Sequence, residues 1–119
     1  MKDVSLKSET LRRALATATL LAPAAALERL RRGDLDKGDA LASARVAGML
    51  AAKRTHELIP MCHALSLTGI ELSFIIAQDR VDVVSEARAL APTGVEMEAL
   101  TAASVAALTL YDMLKPHVD

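Results

Sequence analysis

Apolar and polar positions follow two different rhythms along this chain. Ala14, Ala16, Ala18 and Leu20 alternate with Leu15, Thr17, Thr19 and Leu21, a period of two that predicts a strand. Arg12-Arg13 followed by this apolar run also resembles the basic and apolar regions of an export signal. Acidic Asp3 and Glu9, and Pro23 interrupting the run, favour the strand. Pro23 suits the first turn of a short helix over 24–32 that Gly33 closes. A polar loop over 34–39 follows, with Asp39 as the N-cap of a second helix over 40–58. That helix offers Leu41, Ala44, Gly48, Ala51, Ala52 and Leu58 for close packing. The period then returns to two. Ile70, Leu72, Phe74 and Ile76 lead through a turn at Gln78-Asp79-Arg80 into Val81, Val83, Ser85, Ala87 and Ala89, which predicts an antiparallel hairpin with a more polar second face.

The last stretch, 93–115, predicts a long helix that organises the rest. Thr93-Gly94 precede it, Glu96 and Glu98 suit the positive end of its dipole, and Pro116 stops it. Between Glu98 and Asp112 only Tyr111 is ionisable, so the helix should be buried on all sides, yet the uncharged run is short for a bilayer. So small a chain cannot surround a helix alone; a sheet on one side and a second subunit on the other are expected. Glu98, Thr101, Val105, Leu108, Asp112 and Lys115 share one side of the helix, and Asp112 and Lys115 adjoin at i, i+3. By itself that pair reads as an ordinary helix-end ion pair. Glu98 and Asp112 stand roughly 21 Å apart along the axis, so one small ligand touches both only if two chains build the site.

Strand, helix, helix, strand, strand, helix is an α+β order, and no linker or repeat divides the chain. With 119 residues, 52% hydrophobic and a net charge of −1, it should form one globular domain with no electrostatic bias toward nucleic acid or an anionic membrane. Phe74 and Tyr111 are the only aromatic residues, too few for a base-stacking platform. The single Cys62, next to His63, allows no internal disulfide and lacks partners for a compact zinc site, so neither a metal nor another cofactor is expected. A lone loop lysine such as Lys37 is usually a solvated charge; Lys53 and Arg54 read as helix-end cations that could also hold an anion. His63 is open between a structural role and a ligand or proton carrier.

Asp3-Val4-Ser5 with Lys7, Lys37-Gly38-Asp39, Ala44-Arg45-Val46-Ala47-Gly48, Ala51-Ala52-Lys53-Arg54-Thr55, Leu58-Ile59-Pro60 with Cys62-His63, and Thr93 through Lys115 occur in an order that resembles the cyclic pyranopterin monophosphate synthases of molybdenum cofactor biosynthesis. The resemblance covers nearly the whole chain. It implies a ferredoxin-like α+β fold and a cytoplasmic homohexamer, a trimer of dimers with active sites between subunits. The implied reaction converts 3′,8-cyclo-7,8-dihydroguanosine triphosphate into cyclic pyranopterin monophosphate with release of pyrophosphate. Residue by residue, it implies catalytic roles for Lys37, Asp112 and Lys115, and substrate contacts from Met61, Cys62, His63, Met97 and Glu98, with Lys53 and Arg54 as phosphate candidates. Ala64 and Leu114 stand where the family pattern has proline and cysteine. The chain ends at Asp119, before the strand with which the family pattern continues, so an unpaired sheet edge is expected. A non-catalytic pterin- or nucleotide-binding protein, or a scaffold of the same fold, is the alternative.

Overall fold

A computed structural model of the chain describes residues 1–118. Three strands, β1 (Thr10–Leu21), β2 (Gly69–Ile76) and β3 (Arg80–Ala91), form an antiparallel sheet in the order β1-β3-β2. β1 starts four residues earlier than the alternation predicts. It pairs with β3 from Thr10 opposite Ala91 to Leu21 opposite Arg80, while β2 pairs on the other side from Gly69 opposite Arg88 to Ile76 opposite Val81. β3 thus lies between β1 and β2, the split β-α-β arrangement of a ferredoxin-like α+β fold. The outer edge of β1 has no strand partner among the described residues.

The period of two sorts the sheet into a packed and an open face. Ala16, Leu72, Val81, Val83, Ser85, Ala87 and Ala89 are buried beneath the helices. The opposite face exposes Leu11, Leu15, Leu21, Ile75 and Leu90 among charges paired within the sheet, Arg13 with Glu86 and Arg88 with Glu71. The run after Arg12-Arg13 is therefore a strand with its alanines and Leu20 inward and Leu15 and Leu21 outward.

Four helices follow in chain order: α1 (Ala24–Arg32), α2 (Ala40–Lys53), α3 (Thr55–Leu58) and α4 (Glu96–Leu114), the last ending in a 3-10 turn over Lys115–His117. Asp39 caps α2 by accepting the Ala42 N–H on its carboxylate at 3.1 Å. The second predicted helix does not run unbroken to 58. The Thr55 hydroxyl donates to the carbonyls of Ala51 and Ala52, both at 3.0 Å, competing with the backbone ladder and breaking the helix at Arg54. Leu58, beyond the break, is exposed instead of packed. Gly48 lets α2 lie close to its neighbours: a Cβ there would meet Leu72 Cδ2 at 2.9 Å and the Ala102 carbonyl oxygen at 3.0 Å.

α4 begins at Glu96, two residues after Gly94, with no side-chain cap. It packs on α2 and on the sheet through Ala99, Ala102, Ala103, Ala106, Leu110, Met113 and Leu114, alanines that bring backbone close to backbone. It is not buried on all sides. Met97, Leu100, Leu108 and Tyr111 form an exposed, uncharged stripe along its length that no other described element covers. From Glu96 to His117 the segment has the length and apolar composition of a membrane span, but half of it is buried in the protein core.

Candidate functional site

The second and fourth helices run antiparallel. Lys37, just before α2 begins, meets Asp112 near the end of α4, and Gly48 packs against Ala102 in the first half of α4. This pairing sorts the ten candidate residues into two groups at opposite ends of α4. Lys37, Asp112 and Lys115 lie at its C-terminal end; Lys53, Arg54, Met61, Cys62, His63, Met97 and Glu98 belong to its N-terminal end.

At the C-terminal end, Lys37 Nζ donates to Asp112 Oδ1 and to the Asp112 backbone oxygen, both at 3.0 Å. The second bond satisfies a carbonyl that the helix leaves unpaired in its last turn. Asp112 therefore does not pair with Lys115. The helix tightens into the 3-10 turn at Lys115, and Lys37 arrives from another element to take the carboxylate. Lys115 makes no ion pair among the described residues and stays exposed one turn beyond Asp112.

The loop carrying Lys37 is held on several sides. Arg29 of α1 donates through Nε to the Asp34 carbonyl at 3.0 Å, and Asp39 anchors the far end as the α2 cap. Gly38 takes φ 108°, a conformation that L side chains rarely adopt. The Asp36 N–H donates to His117 Nε2 at 3.1 Å, tying the loop to the end of α4. Reading the sequence did not single out His117, since a histidine after a helix-stopping proline carries no motif. A cleft of about 460 Å³ opens beside this loop, lined in part by Arg31, Arg32, Gly38 and Asp39.

At the N-terminal end Glu98 is 3% exposed, and its Oε1 has no hydrogen-bond partner. Its Oε2 lies 3.6 Å from Cys62 Sγ, as does the His63 carbonyl oxygen, so the thiol proton has two acceptors. Burial, and then the carboxylate beside it, push the Cys62 thiol above its ordinary pKa. A buried carboxylate with one oxygen unpaired is costly unless a donor reaches it. The amino end of α4 lowers that cost by its dipole and offers the acceptor to an incoming N–H. The His63 ring contacts the Lys2 carbonyl, and the Met1 ammonium lies 3.1 Å from Met61 Sδ. A second cleft of about 430 Å³ lies here, lined by Met1 through Ser5 and His63. Lys53, Arg54 and Met97 are exposed.

One end thus carries an ammonium–carboxylate pair with a second ammonium nearby; the other carries an unpaired acceptor, a thiol, an imidazole and two cations. The described residues hold no cluster of three or more His, Cys, Asp or Glu able to bind a metal. One chain holds these two sets of groups a helix length apart, at opposite ends of α4.

The chain is 52% identical over 115 residues to cyclic pyranopterin monophosphate synthase 2 of Mycobacterium tuberculosis, covering 97% of this chain and 69% of that protein. It is 53% identical over 117 residues to the cyclic pyranopterin monophosphate synthase of Heliobacterium modesticaldum, covering 97% and 74% of the two. The probable cyclic pyranopterin monophosphate synthase of Methanosarcina acetivorans is 48% identical over 115 residues, covering 97% and 73%. The MoaC family pattern matches residues 1–119 from end to end. With that match and these identities over nearly all its length, the chain belongs to the MoaC family.

Proposed function

We propose that the chain is a lyase of molybdenum cofactor biosynthesis that forms cyclic pyranopterin monophosphate from 3′,8-cyclo-7,8-dihydroguanosine triphosphate and releases pyrophosphate. The observation that carries this reading beyond likeness is the pairing of Lys37 with Asp112, joined from a loop and a helix end 75 positions apart and followed one turn later by Lys115. Rearranging a fused purine into a pterin moves protons on and off ring nitrogens. Closing a cyclic phosphate then needs a hydroxyl to attack the α-phosphorus while the bond to the β-phosphate breaks, and pyrophosphate leaves with the electron pair. Asp112 supplies a base, Lys115 an acid, and Lys37 a proton donor or a counter-charge for phosphate. Glu98 offers its unpaired oxygen to N–H groups of the heterocycle, Met61, Cys62, His63 and Met97 surround it, and Lys53 and Arg54 are cations for the phosphates.

These groups serve one substrate when two copies share the site. The open stripe of α4 and the leucine-bearing face of the sheet are the surfaces for that association, and a hexamer built as a trimer of dimers would bury both. We place the reaction in the cytoplasm, where a GTP-derived substrate is at hand. The test is conversion of the cyclised GTP derivative, read as pyrophosphate released and pterin formed. Turnover that falls by about 10²–10⁴-fold in Lys37→Ala, Asp112→Ala and Lys115→Ala at unchanged assembly supports the assignment; tight binding of the same compound with no product from the parent chain replaces it with a non-catalytic binding protein.

A further inference from the structure

We propose that His117 is a positioning residue for Lys37, acting through the backbone of Asp36; the inference rests on the lyase reading above. The His117 side chain is 5% exposed, and its Nε2 accepts the Asp36 N–H at 3.1 Å. That bond requires a neutral ring with its proton on Nδ1. The Asp36 carboxylate stands farther off, at 3.9 Å from the same nitrogen, so acceptance from the backbone defines the contact. The next residue is Lys37, whose ammonium makes both bonds to Asp112.

The contacts close a ring. It runs from Asp112 through the last turn of α4 and the 3-10 turn to His117, across to Asp36, and from Lys37 back to Asp112. Without the histidine, Lys37 would hang on a four-bond stem from a polar loop, an arrangement that samples many rotamers. Arg29 holds the start of the loop, Asp39 its end, and the Gly38 N–H closes a turn onto the Leu35 carbonyl at 3.2 Å; His117 adds the bond that ties the backbone next to Lys37 to the helix that carries Asp112. The same helix end therefore sets both partners, which keeps ammonium and carboxylate in register when the loop shifts.

The experiment is a double-mutant cycle on the full chain. His117→Ala should lower kcat by about tenfold to 10²-fold, the cost of misplacing a reacting group. His117→Gln, whose side-chain oxygen can accept the same N–H, should recover part of that loss. In a Lys37→Ala background His117→Ala should cost less than about twofold further, because there is no ammonium left to position. Equal losses in both backgrounds would make His117 a structural residue and overturn the proposal, as would unchanged kcat in His117→Ala. Hydrogen exchange at the Asp36 amide gives a readout independent of turnover. Protection in the parent that is lost in His117→Ala supports the tether. An Asp36 amide that exchanges freely in the parent overturns it even if His117→Ala does not fold. If the parent chain forms no product, the lyase reading fails with the catalytic half of this one, and the exchange data still decide whether His117 holds the loop.

Discussion

Replacing Lys37 with methionine and, separately, Asp112 with asparagine should separate stability from activity. The Lys37–Asp112 pair is short, 3.0 Å, but its side chains are 41% and 63% exposed. In that setting solvent screens the charges, and such pairs contribute about 0–1 kcal/mol. Methionine keeps the length and apolar stem of lysine, and asparagine keeps the shape of aspartate, so neither change opens a cavity. The melting temperature should fall by no more than a few degrees, the shift that about 1 kcal/mol gives in a domain of this size. Turnover should behave differently. Removing a positioned acid or base costs about 10²–10⁴-fold in rate, which is roughly 2.7–5.4 kcal/mol of transition-state stabilisation. The assay pairs pyrophosphate release with thermal unfolding at one fixed protein concentration, because association makes the melting point depend on concentration. Activity that falls only as far as the folded fraction falls, or that survives in either variant, would refute a chemical role and leave a helix-end ion pair.

Other outcomes follow from the remaining geometry. Glu98→Gln removes a negative charge that disfavours the Cys62 thiolate, so the pH profile for alkylation of Cys62 should move to lower pH; an unmoved profile would mean that the two groups do not interact. Gly48→Ala should destabilise by about 1–3 kcal/mol by overpacking α2 against Leu72 and Ala102, read as a lower denaturant midpoint, and wild-type stability would show that the close approach relaxes freely. Leu108→Lys places a charge on the open stripe of α4 and should weaken self-association in sedimentation without unfolding the chain, whereas an unchanged assembly would remove that stripe from the interface.

Much of the fold was legible because its signals are local. Strand alternation, Asp39 before α2, Gly33 after α1 and Pro116 after α4 each express backbone geometry within a few residues. The break at Arg54 was hidden because Thr55 competes for carbonyls with a side chain that propensity treats as a mild helix former at worst. The candidate site rests on residue types and family likeness, and its side-chain contacts were not legible. Spacing placed Asp112 next to Lys115, but Lys37 lies far away in sequence, and such a contact has no periodic signature. His117 was missed for the same reason. The all-round apolar character of α4 pointed beyond one chain, and the exposed Met97, Leu100, Leu108 and Tyr111 show which side the chain leaves open.

The antiparallel packing of α2 on α4, which sends the two halves of the site to opposite ends, carries a genetic consequence. Under the shared-site reading, a chain defective at Glu98 and a chain defective at Asp112 damage different halves, so each is inactive with its own kind. Mixed in one assembly, they create some sites that collect both defects and others that collect none. Two inactive alleles should therefore complement each other in trans, while a chain carrying both substitutions should poison every site it enters.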